Sequence, residues 1–212
     1  MRTARLVGLS LLLALLGAGA IASPHPALAI TCTVGDGSFT VTVSGAGAIA
    51  GAAGDDVILG SAGRDVITAG DGNAIVCPTS GNDDITLGPD DDAADGGDGD
   101  DKVRGESGND ILLGGPGNDA VAGGGEIDGD DDDSISGGSG NDTVDGDRGN
   151  DLIDGDEGND VLDGEEETDT LDGGPGDDDL TGGPGAGDSC TGGDGADTGG
   201  ILTGCETTVG IP

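Results

Sequence analysis

Large aliphatic residues recur every nine positions along most of this 212-residue chain. Gly137 to Asp163 shows the pattern best, reading GGSGNDTVD, GDRGNDLID and GDEGNDVLD. In each nonapeptide a single Val, Ile or Leu at position eight is flanked by residues that suit a strand, and the six residues before these favour turns. The pattern predicts very short strands joined by tight turns, with only the position-eight side chain facing inward.

The nine-residue register extends in both directions from this segment. Units begin at residues 51, 60, 69, 78, 87, 96, 105 and 114, and, after five inserted residues at 123–127, at 128, 137, 146, 155, 164 and 173. Position six is Asp in 13 of these 14 units and position eight is aliphatic in all of them, which compositional bias alone would not produce. The predicted core is Ile58, Ile67, Ile85, Val103, Leu112, Val121, Ile135, Val144, Ile153, Leu162, Leu171 and Leu180.

Three units depart from the pattern, and we expect weaker sites there. The unit at 69 has Ala74 in place of the position-six Asp. The units at 87 and 164 have Asp90 and Glu167 in place of the position-four Gly. After Thr181 the register loosens, because 182–191 is one residue longer than a repeat.

The ends of the chain read differently from the repeats. Phe39, Val41 and Val43 alternate with Thr, which is typical of a half-buried strand. We therefore divide the chain into a signal peptide (1–29), an N-terminal cap (30–50), repeat block 1 (51–122), an insertion (123–127), repeat block 2 (128–200) and a C-terminal cap (201–212).

Residues 1–29 have the features of a secretory signal peptide. Arg2 and Arg5 precede an apolar run from Leu6 to Ile21, and Ala27-Leu28-Ala29 matches a cleavage site. The run is shorter than the roughly 20 residues needed to cross a bilayer. We expect a secreted, extracellular protein.

The acidic composition limits the possible partners. After removal of residues 1–29, four basic residues face 44 acidic ones, a formal charge of about −40, and Phe39 is the only aromatic residue. This sign of charge argues against nucleic acid and anionic membranes as partners. Without cations such a chain is expected to be disordered, since it has little apolar surface to bury.

Four cysteines remain in the exported chain, and an even number in a secreted protein favours disulfides. Three pairings are possible. We favour Cys32–Cys77 and Cys190–Cys205, because each would tie down one end of the repeats.

The turns have the chemistry of calcium sites. Gly at positions one, two and four permits backbone conformations that direct carbonyl oxygens to one point, and the position-six Asp adds a carboxylate. Hard oxygen ligands at high negative charge suit Ca²⁺, whereas Mg²⁺ demands tighter geometry. One such Asp alone would be a solvated turn residue, but a ladder in phase favours metal binding. The candidate ligands are Asp56, Asp65, Asp83, Asp101, Asp110, Asp119, Asp133, Asp142, Asp151, Asp160, Asp169 and Asp178.

The repeat resembles the GGxGxDxUx motif of hemolysin-type (RTX) calcium-binding proteins over about residues 51–200. The resemblance implies an all-β fold, a right-handed parallel β-roll of about eight coils in which two units make one coil. Calcium would lie between turns stacked on the same side, so that unit n pairs with unit n+2. It also implies backbone ligands, which we assign to the carbonyls of Gly114, Gly137, Gly146, Gly155 and Gly173.

The sequence thus predicts a monomeric secreted protein that folds on binding several Ca²⁺ ions. Catalysis is not expected, because the exported chain has no histidine for a Ser-His-Asp triad or an HExxH site. The alternatives are a calcium-dependent adhesin or surface interaction module and a non-catalytic remnant of a larger RTX hydrolase or toxin. The biological role of calcium binding and the number of filled sites are not specified by the sequence.

Overall fold

A computed structural model describes residues 43–125, 131–193, 204–205 and 207–209. The predicted signal peptide, Cys32 and the cap residues Phe39 and Val41 lie outside the described residues. Within them there is no helix, and no helix that could cross a membrane.

The described residues form two parallel sheets that face each other across a single narrow core. The ten-stranded sheet runs β1 (Val43–Ser44), β3 (Val57–Leu59), β5 (Ile75–Cys77), β7 (Ala93–Asp95), β9 (Ile111–Pro116), β11 (Ser134–Ser139), β13 (Leu152–Glu157), β15 (Thr170–Asp172), β17 (Ser189–Thr191) and β18 (Thr207–Val209). The eight-stranded sheet runs β16 (Asp179–Thr181), β14 (Val161–Asp163), β12 (Thr143–Asp147), β10 (Ala120–Gly124), β8 (Lys102–Ser107), β6 (Asp84–Pro89), β4 (Val66–Thr68) and β2 (Ala48–Ala50).

Successive strands alternate between the sheets, so each coil of the chain contains two nonapeptides. Val103 in β8 is therefore paired with Val121 in β10, two units later. This arrangement confirms the predicted pairing of unit n with unit n+2 and the all-β solenoid of about eight coils.

The core consists of one position-eight side chain per unit. All twelve predicted core residues are at most 2% exposed, and Val76, Ala94 and Cys190 occupy the same inward position. Each of these side chains stacks on the one two units away, as Ile153 does on Ile135 and Leu171. The predicted inward position is confirmed.

The extra residues between the two repeat blocks lie later than predicted. Gly124, assigned above to the insertion 123–127, lies in β10 and pairs with both Glu106 and Asp147. Gly123 and Gly124 thus fill positions one and two of a unit whose position six is Asp133. The surplus falls after Gly125, where residues 126–130 lie outside the described part.

The stacking of inward side chains continues to both ends of the roll. At the N-terminal end Ile49 is 6% exposed and joins the core, and β2 pairs with β4. At the C-terminal end Cys190 takes the inward position of β17, and its sulfur is bonded to that of Cys205, with 5.8 Å between the two Cα atoms. Cys77 is disulfide-bonded as well.

Candidate metal centre

The position-six aspartates form a ladder along each edge of the roll. From Asp65 onward, the Oδ1 atom of each accepts a hydrogen bond from the position-six backbone N–H one coil earlier. Asp142 N–H donates to Asp160 Oδ1 at 2.8 Å, and Asp151 N–H donates to Asp169 Oδ1 at 2.9 Å. These contacts hold the carboxylates in the turn interior, where every predicted ligand is 5% exposed or less.

The second carboxylate oxygen of most of these aspartates is buried without a hydrogen-bond donor. Leaving a carboxylate oxygen unsatisfied away from water is expensive, so a row of such oxygens indicates a series of cation-binding points. The aspartates with such an Oδ2 are Asp83, Asp92, Asp101, Asp110, Asp119, Asp133, Asp142, Asp151, Asp160 and Asp169.

In seven of these units a backbone carbonyl from the next coil converges on the same place as the orphaned oxygen. A Cβ atom added to Gly155 would lie 2.7 Å from Asp160 Oδ2 and 2.7 Å from the Gly173 carbonyl oxygen. At Gly137 the corresponding distances are 2.7 Å to Asp142 Oδ2 and 2.9 Å to the Gly155 oxygen. Position one is therefore glycine because a side chain would occupy the point where the two oxygens meet.

All five predicted carbonyl ligands lie at such points. Gly114 and Gly137 approach Asp101 and Asp119 respectively, and Gly146 approaches Asp133. The carbonyls of Gly123 and Gly164 have the same geometry and were missed, because only the most regular units were assigned.

The donor set suits calcium. No group of three or more His, Cys, Asp or Glu side chains that could hold a metal occurs among the described residues. Each point instead receives a carboxylate and a main-chain carbonyl from adjacent coils. Oxygen ligands of this mixed kind fit Ca²⁺, which accepts flexible coordination by six to eight oxygens. These residues would hold the ion, and the ion would neutralise the buried carboxylates.

Burial raises the pKa of the position-six carboxyl groups from Asp83 to Asp169. It raises the pKa of Asp110 and of Asp151 to about 8, and neighbouring carboxylates add to the effect, while the accepted backbone hydrogen bond opposes it. The pKa of Asp160 and of Asp169 is raised to about 7, and that of Asp101 to about 6, for the same reasons. The roll therefore favours binding a positive charge at each carboxylate, either a proton or a metal ion.

A pH dependence follows for the calcium-free chain. Because the folded-state pKa values exceed the ordinary value, the folded state binds more protons than the unfolded state over this range, and stability falls as pH rises. In chelator we expect far-UV circular dichroism to show more strand at pH 5 than at pH 8, the loss occurring through about pH 6–8. Millimolar calcium should remove the difference, and a flat profile in chelator would contradict the expectation.

Two predicted ligands, Asp56 and Asp65, have a different environment. Asp56 Oδ2 accepts a hydrogen bond from Ala52 N–H at 2.5 Å, and Asp65 Oδ2 accepts one from Ser61 N–H at 2.6 Å. In these two turns the Oδ2 atom therefore has a hydrogen-bond donor from its own turn, whereas in later units the same atom has none.

Two further aspartates join the ladders although the sequence analysis left them out. Asp92, whose unit has Asp90 at position four, was not among the candidate ligands, yet it accepts a hydrogen bond from Ala74 N–H at 2.6 Å. Asp188 was displaced from position six by the extra residue in 182–191, yet it accepts from Asp169 N–H at 3.0 Å. A search that allowed one inserted residue would have found Asp188.

A second, exposed ladder runs beside the first. Position-five Asn and Asp side chains accept the position-five backbone N–H one coil later, as Asn141 does from Asn159 at 2.8 Å. Asn118 accepts from Asn141 at 3.0 Å in the same way. This ladder runs opposite in direction to the position-six ladder, so each turn is bonded to both of its neighbours.

The irregular position-four acids are accommodated in the turns. Asp90 and Glu167 adopt φ values of 114° and 80°, and each carboxylate accepts a backbone N–H one coil earlier, from Gly72 at 2.9 Å and Gly149 at 3.1 Å. The fold of these units is therefore intact. Whether calcium binds them more weakly stays a prediction.

A parallel β-solenoid whose turns bring carboxylates and carbonyls together defines the chain as a metal-binding repeat protein. Comparison with family models gives its family, since the model for the RTX calcium-binding nonapeptide repeat matches residues 42–76, 95–128, 127–162, 154–188 and 163–198, more than half of the chain. The chain belongs to this family, as the sequence resemblance indicated. A search of curated proteins found no match.

Proposed function

We propose that this is a secreted protein that folds by binding several Ca²⁺ ions between its stacked turns. The observation that carries the proposal is the paired geometry at successive coils, a buried Asp Oδ2 without a donor facing a glycine carbonyl oxygen of the next coil. Bound calcium would compensate the buried carboxylates and reduce the repulsion of a strongly acidic chain, so its binding free energy would become folding free energy.

The export predicted from the sequence fits this role. The signal-peptide pattern of 1–29 would place the mature chain outside the cell, where calcium-binding modules typically work at about 10⁻⁴–10⁻³ M. The pairs Cys32–Cys77 and Cys190–Cys205 would then hold the two ends of the roll. The bonded state of Cys77 and the contact between Cys190 and Cys205 support these pairings.

The outward faces favour a calcium-folded scaffold over an adhesin. Among the described residues, Val66 and Val161 are the exposed large apolar side chains, at 45% and 48%, and four strands lie between theirs in one sheet. Isolated exposed aliphatic residues are ordinary on protein surfaces. A non-catalytic, monomeric role fits this surface.

Isothermal titration of the mature chain with Ca²⁺, followed in parallel by far-UV circular dichroism, tests the proposal. We expect several ions per chain and a gain of strand signal that follows their binding. Mg²⁺ at the same concentration is the control and should give a much smaller change. Identical strand content in chelator and in millimolar calcium would overturn the proposal.

A further inference from the structure

The first three units, Gly51 to Cys77, differ from the later units in how their turn interiors are filled. In the first two, the carboxylate is already bonded on its own turn. Asp65 is the clearest case, because Oδ1 accepts from Gly47 N–H at 2.5 Å while Oδ2 accepts from Ser61 N–H at 2.6 Å and Ser61 Oγ at 3.1 Å. A carboxylate with donors on both oxygens is stabilised without a metal.

The backbone at position two decides where this N–H points. From the unit that begins at residue 96 onward, position two has positive φ, as at Asp147, Asp156 and Glu165, with values of 66°, 64° and 63°. Position two of the two units before these does not have positive φ, and in the first of them the Thr79 N–H donates to a backbone carbonyl of the preceding coil at 3.4 Å. The N–H groups of Asp147, Asp156 and Glu165 donate to the Asp two residues earlier, at 3.2, 3.1 and 3.2 Å respectively. The position-six carboxylate then loses this donor.

Ala52 and Ser61 lack both features seen in units such as those of Asp147, Asp156 and Glu165. Neither has positive φ, and the residues two before them, Ala50 and Leu59, have no carboxylate to accept their N–H. The N–H therefore turns inward to the aspartate. The Ala69 carbonyl still approaches Asp56, but the oxygen it approaches already has its donor.

Carbon atoms also replace oxygens around these turns. Ala74 stands where the third unit would have its Asp, and Ala69 and Leu87 stand where glycine opens later units, all three at most 3% exposed. On the other edge, Pro78 replaces the opening glycine, and its Cβ lies 3.0 Å from the position of a Cβ added to Gly60. In later coils a carbonyl oxygen lies at the equivalent point.

From these contacts we infer that the segment Gly51–Cys77 takes no calcium and holds its fold by hydrogen bonds and apolar packing alone. Metal binding begins at Asp83 on one edge and at Asp92 on the other, where Oδ2 first lacks a donor. The inference rests on the proposed function only for the calcium bound by the later units.

This segment would be a template for the rest of the roll. In repeat proteins each unit contacts mainly its neighbours, so folding spreads from a unit that is already ordered. Pre-ordered coils at one end let the calcium-dependent coils add in sequence, each bound ion fixing the turn on which the next unit stacks. The starting cost of ordering an isolated coil then does not depend on calcium.

Paired isosteric substitutions test where the ions bind. Asp56→Asn with Asp65→Asn keeps one acceptor oxygen in each turn, removes two negative charges, and should leave the calcium stoichiometry of the full mature chain unchanged. Asp142→Asn with Asp160→Asn removes the same charge from two later units and should reduce the stoichiometry by at least two ions. Equal losses in the two variants would overturn the inference while leaving calcium binding itself established.

Hydrogen exchange in chelator tests the order of the segment independently of calcium binding. The exchange rates of backbone amides in Gly51–Cys77 should be lower than those in Thr143–Leu162 by a factor of about ten or more. Equal exchange in the two segments would overturn the inference. If the wild-type chain bound no calcium at all, the proposed function would fail, and this exchange measurement would still decide whether the first units fold alone.

Discussion

Replacement of Gly158 by Ala is expected to destabilise the calcium-bound roll by about 4–5 kcal/mol or more, the range of the most disruptive single substitutions. Gly158 occupies position four, and a Cβ there would overlap the Gly140 carbonyl oxygen of the preceding coil, far inside van der Waals contact. The obstructing atom belongs to the backbone and cannot rotate away. Coils stacked at about 4.8 Å along the roll leave no room for a local shift.

Gly63→Ala is the matched control for this substitution. Gly63 occupies the same position four in an earlier unit, but a Cβ added there meets nothing within 4 Å. Urea denaturation in millimolar calcium should show Gly63→Ala within about 0.5 kcal/mol of the wild type, as for a surface change. Similar midpoints for both variants would show that close stacking of position-four backbones does not limit the stability of the roll.

The sequence predicted the fold well because its two strongest signals are periodic. An aliphatic residue at position eight of each nonapeptide, such as Ile153 or Leu162, can be buried only if units stack in register, and the structure buries both fully. The position of the insertion was less well determined. Gly123-Gly124 and Asp128-Gly129 both resemble the start of a unit, and only the pairing of Gly124 with its neighbours distinguishes them.

The sequence names the candidate aspartates but does not indicate which hydrogen-bond donors surround each carboxylate. That Asp160 and Asp65 share position six is visible in the sequence, whereas the difference between their Oδ2 atoms depends on the backbone at position two. The position-five ladder was missed for a related reason. Its bonds, such as that from Asn159 to Asn141, join residues 18 apart and leave no local pattern beyond a preference for Asn or Asp.

Two opposite hydrogen-bond ladders on each edge explain how a thin core can give a defined register. A slip by one unit would place turns on the wrong edge, and a slip by one residue would turn the aliphatic side chains outward. The ladders add a directional check at every coil, because Asp142 N–H must meet Asp160 while Asn141 Oδ1 must meet Asn159. Calcium would then stabilise turns whose register these hydrogen bonds specify.

Asp151→Asn is expected to remove at least one calcium ion and to raise several-fold the calcium concentration at the midpoint of folding. Asp151 lies within the ladder, between Asp133, whose N–H it accepts at 2.8 Å, and Asp169, to which its own N–H donates. An amide can still accept the first bond. Its NH₂ group, however, would point a hydrogen-bond donor at the place where the oxygens converge. The substitution also removes the negative charge that attracts the ion.

Asp177→Asn removes the same charge from the exposed position five, where other units naturally have Asn. Its backbone N–H donates to Asn159 Oδ1 at 2.8 Å, a bond that the substitution keeps. Calcium titrations of the two variants, followed by circular dichroism at one ionic strength, therefore separate loss of a ligand from loss of one negative charge. Equal shifts would mean that calcium acts on this roll mainly by screening its charge, whereas a shift confined to Asp151→Asn requires an ion held at the buried carboxylate.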